Sequence, residues 1–206
     1  MLVYNRTVKR IFDLVISITG IIAVIPLMIL LALCVYIDDP GPVFFAHQRI
    51  GQGGKSFPCF KYRTMCVSAE NKLKEYLSHN QEAKAEWEEN FKLKNDPRIT
   101  RVGKILRRTS LDELPQLFNV LRGEMSLVGP RPIVEEEIPK YGEYFAEFCR
   151  VLPGITGVWQ VNGRSDTTYE ERVAMDVWYV RNWSVWLDVK CLVKTITATI
   201  GQEGAY

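Results

Sequence analysis

From Leu14 to Ile37 the chain runs for 24 residues without a charge, and only Ser17, Thr19, Gly20, Pro26, Cys34 and Tyr36 interrupt the apolar stretch. About 20 apolar residues in a helix cross the hydrocarbon of a bilayer, so length and composition both predict a membrane helix. A cleavable leader would have an apolar core of roughly 7–15 residues and a small-residue cleavage site. The segment is too long, and Asp38-Asp39-Pro40-Gly41-Pro42 is no such site. Arg6, Lys9 and Arg10 precede it, with no acid among residues 1–12. Such a bias keeps the N-terminus cytoplasmic, and a simple crossing would carry the rest of the chain to the far side. Pro26 opens a second path, with 12 residues of the segment before it and 11 after. Proline deletes a backbone hydrogen bond and presses on the carbonyl four residues back, so it bends a helix. Each half would be about 16–18 Å long at roughly 1.5 Å per residue, near half of a hydrocarbon core of about 30 Å. A re-entrant helix–break–helix and a kinked crossing helix both satisfy the sequence.

The remainder reads as a folded domain over residues 39–206, behind an anchor at 1–38. Its fold class is α+β and predominantly α. Val43-Phe44-Phe45 and Phe57 to Tyr62 flank Gly51-Gln52-Gly53-Gly54 and predict a small β-hairpin. Residues 68–94, with Leu73, Leu77, Trp87 and Phe91 at helical intervals, predict an amphipathic helix pair. Another helix over 99–107 sets Arg101, Lys104 and Arg108 on one face, with Arg107 beside it and Ile99, Val102 and Ile105 opposite. Trp178, Tyr179, Trp183 and Trp186 precede an apolar stretch over 185–200; such helices suit either the membrane–water boundary or a packed core.

The 26 basic and 24 acidic residues nearly cancel, so bulk charge says nothing about nucleic acid, and no nucleic-acid partner is expected. Residues 1–12 and 98–108 are basic and acid-free, and stretches of that kind suit anionic partners such as membrane lipids. Five scattered cysteines without Cys-x-x-Cys spacing, and only two histidines, argue against a zinc site or a disulfide framework. Free thiols suit a reducing, cytosol-facing domain.

The run from Thr109 to Val120 carries the chemistry, with Asp112 and Glu113 adjacent behind the basic helix. Ser110 to Glu113 fits a capping box. The same carboxylates also suit a nucleophile beside a metal ligand: a carboxylate can attack phosphorus, and Mg²⁺ is typically held by one or two carboxylates plus substrate phosphates. Gly129-Pro130-Arg131-Pro132 holds one guanidinium in a stiff turn, which favours phosphate binding. Pro153 to Gly157 and Gln160 to Arg164 form further tight loops, in which Asn162 and Arg164 are candidate nucleotide contacts.

Leu106 to Asn119, Glu124 to Pro132 and Pro153 to Gly157, in this order behind an apolar helix, resemble the monotopic bacterial sugar transferases, the polyprenyl-phosphate phosphoglycosyl transferases. The likeness runs from Lys9 to Tyr206 and is closest to the galactose and glucose branch; many of those proteins carry further N-terminal membrane helices, and this chain looks like their catalytic module. The resemblance implies that Asp112 is the nucleophile and that Glu113 with Asp112 holds Mg²⁺. It implies phosphate contact at Arg107, with Arg108 beside it, and a substrate-side Arg131. It implies a re-entrant anchor at the cytoplasmic face of a bacterial inner membrane, with a UDP-sugar and undecaprenyl phosphate as substrates; a homodimer is compatible with it. One departure is Ile25, where the family often has serine before the proline. A non-catalytic membrane scaffold would use the basic stretches equally well, but has no need of Asp112, Glu113 or Arg131.

Overall fold

A computed structural model describes residues 5–90, 93–162 and 167–200 of the chain. The apolar segment lies in α1 (Arg6–Asp38), which starts where the Asn5 side chain accepts the amides of Thr7 and Val8 at 3.1 Å each. Pro26 is inside α1 and helical backbone continues on both sides of it, so the expected break does not appear as an interruption. Proline withdraws one donor from the ladder, and the turns on either side keep theirs.

One stripe of α1 is buried, at Lys9, Asp13, Ser17, Ile21, Met28 and Val35, spaced as one helix face requires. The opposite face exposes Ile11, Val15, Ile22, Ile29, Leu33 and Ile37. A contiguous apolar face of this length marks a membrane or protein interaction surface.

The rest of α1 touches the folded domain along its whole length. Near its start, Lys9 Nζ lies 2.9 Å from Asp13 Oδ1 and 2.8 Å from Asp188 Oδ2. Arg10 donates to the carbonyls of Val120 and Leu121, and Asp13 accepts the Leu127 amide. Farther on, the Tyr62 hydroxyl donates to the Met28 carbonyl at 2.8 Å. At the far end Asp38 accepts the Val102 amide at 2.9 Å, and Asp39 pairs with Arg63 at 3.1 Å. The basic residues Lys9 and Arg10, expected from sequence to meet anionic partners, are thus occupied by the protein's own carboxylates and carbonyls.

β1 (Phe44–Ile50) and β2 (Ser56–Tyr62) form the expected antiparallel hairpin, registered from Phe44 opposite Tyr62 to Ile50 opposite Ser56. α2 (Ala69–His79) and α3 (Gln81–Asn90) are the expected helix pair. α4 (Arg101–Thr109) follows, capped by the Thr100 hydroxyl on the Gly103 amide. Val35, Tyr62 and Leu106 close one core cluster, joining α1, β2 and α4.

After α5 (Gln116–Arg122), β3 (Ser126–Val128) pairs in parallel with β4 (Gly154–Thr156). The short helices α6 (Ile138–Tyr141) and α7 (Phe145–Phe148) lie between these strands. α8 (Val158–Asn162), α9 (Tyr169–Asn182) and α10 (Val185–Ile200) complete the described elements. Trp183 is buried and donates to Asp188 at 3.1 Å, whereas Trp178 and Trp186 are about half exposed or more, so the aromatic cluster divides between core and surface.

Candidate active site

Asp112 owes its position to how α4 ends. Gly103 lets the helix pack onto Thr64, since a Cβ there would fall 2.1 Å from the Thr64 carbonyl oxygen. Arg107, one turn on, donates Nε–H to the Thr64 hydroxyl at 2.8 Å. α4 then stops at Ser110, which adopts left-handed backbone at φ 55°. For a residue with a Cβ that conformation costs about 1–3 kcal/mol, and it recurs at functional turns. It reverses the chain into a short 3₁₀ turn, Leu111–Glu113, facing β2. The capping box expected at Ser110 is not formed, because Ser110 ends α4 and its side chain makes no cap bond.

One ammonium governs the two carboxylates. Lys61 Nζ lies 2.6 Å from Glu113 Oε1 and 3.7 Å from Asp112 Oδ2. Burial disfavours charge on Lys61, but Glu113 and then Asp112 outweigh it, and the Lys61 pKa is raised. Burial pushes Asp112 above its ordinary value and Glu113 adds to this, while Lys61 and Arg107 pull it down. Asp112 is therefore a desolvated carboxylate held near two cations. Asp112 and Glu113 supply adjacent oxygen donors, which fit Mg²⁺ with substrate phosphates and water completing its shell. Among the described residues no group of three or more metal-type side chains gathers.

The opposite wall comes from two loops that only the fold brings together. In the β3–β4 pairing the Gly129 amide donates to the Thr156 carbonyl at 2.9 Å, and the Gly154 amide to the Pro130 carbonyl at 2.7 Å. A Cβ on Gly154 would fall 2.1 Å from the Gly129 nitrogen, so glycine is required where the backbones touch. This contact sets Arg131 beside Trp159, with its guanidinium carbon 5.9 Å from the indole centroid; Arg172 approaches the same ring at 4.8 Å. Behind Arg131, the buried Asp176 accepts from the Tyr141 hydroxyl at 2.7 Å.

Between the walls lies a cavity of about 1390 Å³, lined among others by Lys61, Arg107, Asp112, Glu113, Arg131 and Arg172. Of the residues expected from sequence, Asp112, Glu113, Arg107 and Arg131 meet there. Arg108 does not line it and points from the exposed face of α4. Asn162 is also outside the lining and accepts from Lys194 Nζ at 2.7 Å. Arg164 falls outside the described residues. Sequence reasoning passed over Lys61, whose signal was a lone cation among the apolar residues of a strand. It also passed over Trp159 and Arg172, which carried no local signal.

A bacterial sugar transferase profile matches residues 4–202. The chain belongs to the bacterial sugar transferase family. It is 52% identical over 202 residues to the undecaprenyl-phosphate galactose phosphotransferase of Salmonella typhimurium, covering 98% of this chain and 42% of that protein. Against the UDP-glucose:undecaprenyl-phosphate glucose-1-phosphate transferase of Xanthomonas campestris pv. campestris it is 40% identical, covering 98% of this chain and 41% of that one. Against the exopolysaccharide production protein ExoY of Rhizobium meliloti it is 46% identical, covering 96% of this chain and 88% of that one. This sugar transferase chain thus spans about two fifths of the first two relatives and most of the third.

Proposed function

We propose that the chain transfers a sugar-1-phosphate, galactose- or glucose-1-phosphate, from a UDP-sugar to undecaprenyl phosphate through a covalent intermediate on Asp112. The observation that carries this reading is the Asp112 carboxylate, desolvated and held beside Lys61 and Arg107 at the wall of an arginine-lined cavity. That cavity exceeds the roughly 300–1,000 Å³ of ordinary ligand pockets, which suits two substrates meeting at one centre. The names of the Salmonella and Xanthomonas relatives share undecaprenyl phosphate, the first with galactose and the second with UDP-glucose.

In the first step an Asp112 oxygen bonds to the phosphorus that bears the sugar. The bond from that phosphorus to the bridging oxygen breaks, and its electron pair leaves with UMP. In the second step a phosphate oxygen of undecaprenyl phosphate attacks the same phosphorus and returns the Asp112 carboxylate. Lys61 favours the ionised form of Asp112 against its burial, and Arg107 and Arg131 offset phosphate charge. Glu113 and Asp112 would hold Mg²⁺, which would supply further neutralisation of the diphosphate.

The anchor, residues 1–38, belongs on one face of the membrane together with the catalytic domain, 39–206. Support comes from α1 itself: Lys9 near its start and Asp38 at its end both bond to the same domain, while its outer face stays apolar. A helix so docked dips its apolar face into one leaflet. The face is the cytoplasmic one, where nucleotide sugars are available, and the exposed cations of α4, Arg101, Lys104 and Arg108, lie toward lipid headgroups as part of an interfacial helix.

The test is UMP release from UDP-galactose and UDP-glucose by purified protein with Mg²⁺ and undecaprenyl phosphate. Asp112→Asn should abolish it without loss of fold, and acid-quenched wild type given donor alone should carry a phosphosugar on Asp112. Retained turnover in Asp112→Asn would remove the nucleophile from this reading.

A further inference from the structure

Arg172 and Arg131 approach one indole ring, at 4.8 and 5.9 Å from its centroid. Trp159 is itself buried, and Arg131 and Arg172 both line the cavity beside it. Among the described residues neither forms an ion pair with a carboxylate. Arg172 is fixed from behind, with Nε–H donating to the Thr167 hydroxyl at 3.3 Å. Stacking on an aromatic face leaves the in-plane N–H donors of a guanidinium free. Two cations against one indole in the cavity lining favour an anionic ligand there.

Position says which anion. The wall carrying Lys61 and Tyr62 adjoins the membrane helix, since the Tyr62 hydroxyl bonds to the Met28 carbonyl in α1. Arg172 stands on α9, whose inner residues Val173 and Val177 pack with Tyr141 and Phe148 in a separate core cluster. On this arrangement a lipid phosphate would enter along the Lys61–Tyr62 side, leaving the Arg172 side to the water-soluble donor.

We propose that Arg172, paired with Arg131 across Trp159, binds the α-phosphate of the donor nucleotide and receives the charge that builds on it as UMP departs. This rests on the phosphoglycosyl transfer proposed above and adds a residue to it. When Asp112 bonds to the sugar-bearing phosphorus and the bridge to the α-phosphate breaks, the electron pair stays on the bridging oxygen. That oxygen becomes a terminal oxygen of UMP, carries the new negative charge and needs no proton. A bidentate guanidinium is suited to that place.

The experiment uses the full chain and measures UMP binding by calorimetry, beside KM for the UDP-sugar and KM for undecaprenyl phosphate. Arg172→Gln should weaken UMP binding and raise the donor KM by about tenfold or more, the scale of one lost charged hydrogen bond, with the acceptor KM unchanged. Arg172→Lys, which keeps the charge and loses the fork, should fall between, and it carries the test if the Gln variant melts early. Unchanged UMP affinity in folded variants would overturn the proposal, as would a raised acceptor KM with UMP affinity intact. UMP binding needs no turnover, so its outcome stands apart from that of the proposed reaction: a wild type that binds UMP through Arg172 but releases none from any UDP-sugar keeps the clamp and removes the transfer.

Discussion

Lys61 Nζ bridges two carboxylates from adjacent residues, 2.6 Å from Glu113 Oε1 and 3.7 Å from Asp112 Oδ2. The bridge comes from β2 and the carboxylates from the turn after α4, so the hairpin and the helix end together set the charge state of the centre.

Replacing Lys61 with Met should therefore change the pH profile as well as the rate. Burial raises the Asp112 pKa and Lys61 opposes this, so loss of the ammonium raises it further. If turnover needs ionised Asp112, the acid limb of kcat/KM for UMP release moves to higher pH. A lower rate with an unmoved acid limb would mean that Lys61 acts only on Glu113 or on substrate.

Asp176 should make stability fall with rising pH. Burial pushes its carboxyl up from 3.8 to about 7, against the pull of the Tyr141 hydroxyl and of Arg131. Between those values the native state keeps a proton that the unfolded chain has released, so stability declines across that window and levels off above it. Asp176→Asn keeps an acceptor for Tyr141 and cannot ionise. Its melting temperature relative to wild type should climb from about pH 4 to about pH 7. A difference that does not vary with pH would show Asp176 ionised in the native protein.

Lys9 is the single cation between Asp13 and Asp188 among the described ion pairs, and all three side chains are buried. Lys9→Met would leave two carboxylates facing each other without it, a loss of about 3–5 kcal/mol where a buried pair is broken. Adding Asp188→Asn should recover part of this. Denaturant unfolding in detergent measures both, with Arg6→Met, at an exposed position of α1, as the control. A loss at Lys9 no larger than at Arg6 would remove the buried cluster as the tie between α1 and α10.

Single cysteines at Asn5 and Asp39, in an otherwise cysteine-free chain, should both resist an impermeant thiol reagent on intact cells and both react once the inner membrane is opened. Labelling of position 39 alone in intact cells would mean a crossing helix. Pro26→Leu should leave the pattern unchanged, because the contacts at Lys9, Met28 and Asp38 hold α1 whether or not its ladder is complete.

The sequence by itself determined the local features. Apolar length made α1, paired apolar runs about a glycine turn made the hairpin, and the cationic spacing of residues 101–108 made α4. Each depends on neighbours a few residues apart, so periodicity and turn chemistry suffice. The adjacency of Asp112 and Glu113 and the stiff turn at Arg131 were visible for the same reason. Tertiary structure alone decided what those residues face. Lys61 reaches Glu113 across 52 positions, Lys9 meets Asp188 in a buried pair, and Arg131 shares an indole with Arg172. Such pairings arise when burial brings distant segments together, and no local pattern encodes them. Pro26 shows the same division. Its ring weakens the helix locally, but the route of α1 follows from contacts at both of its ends with one domain.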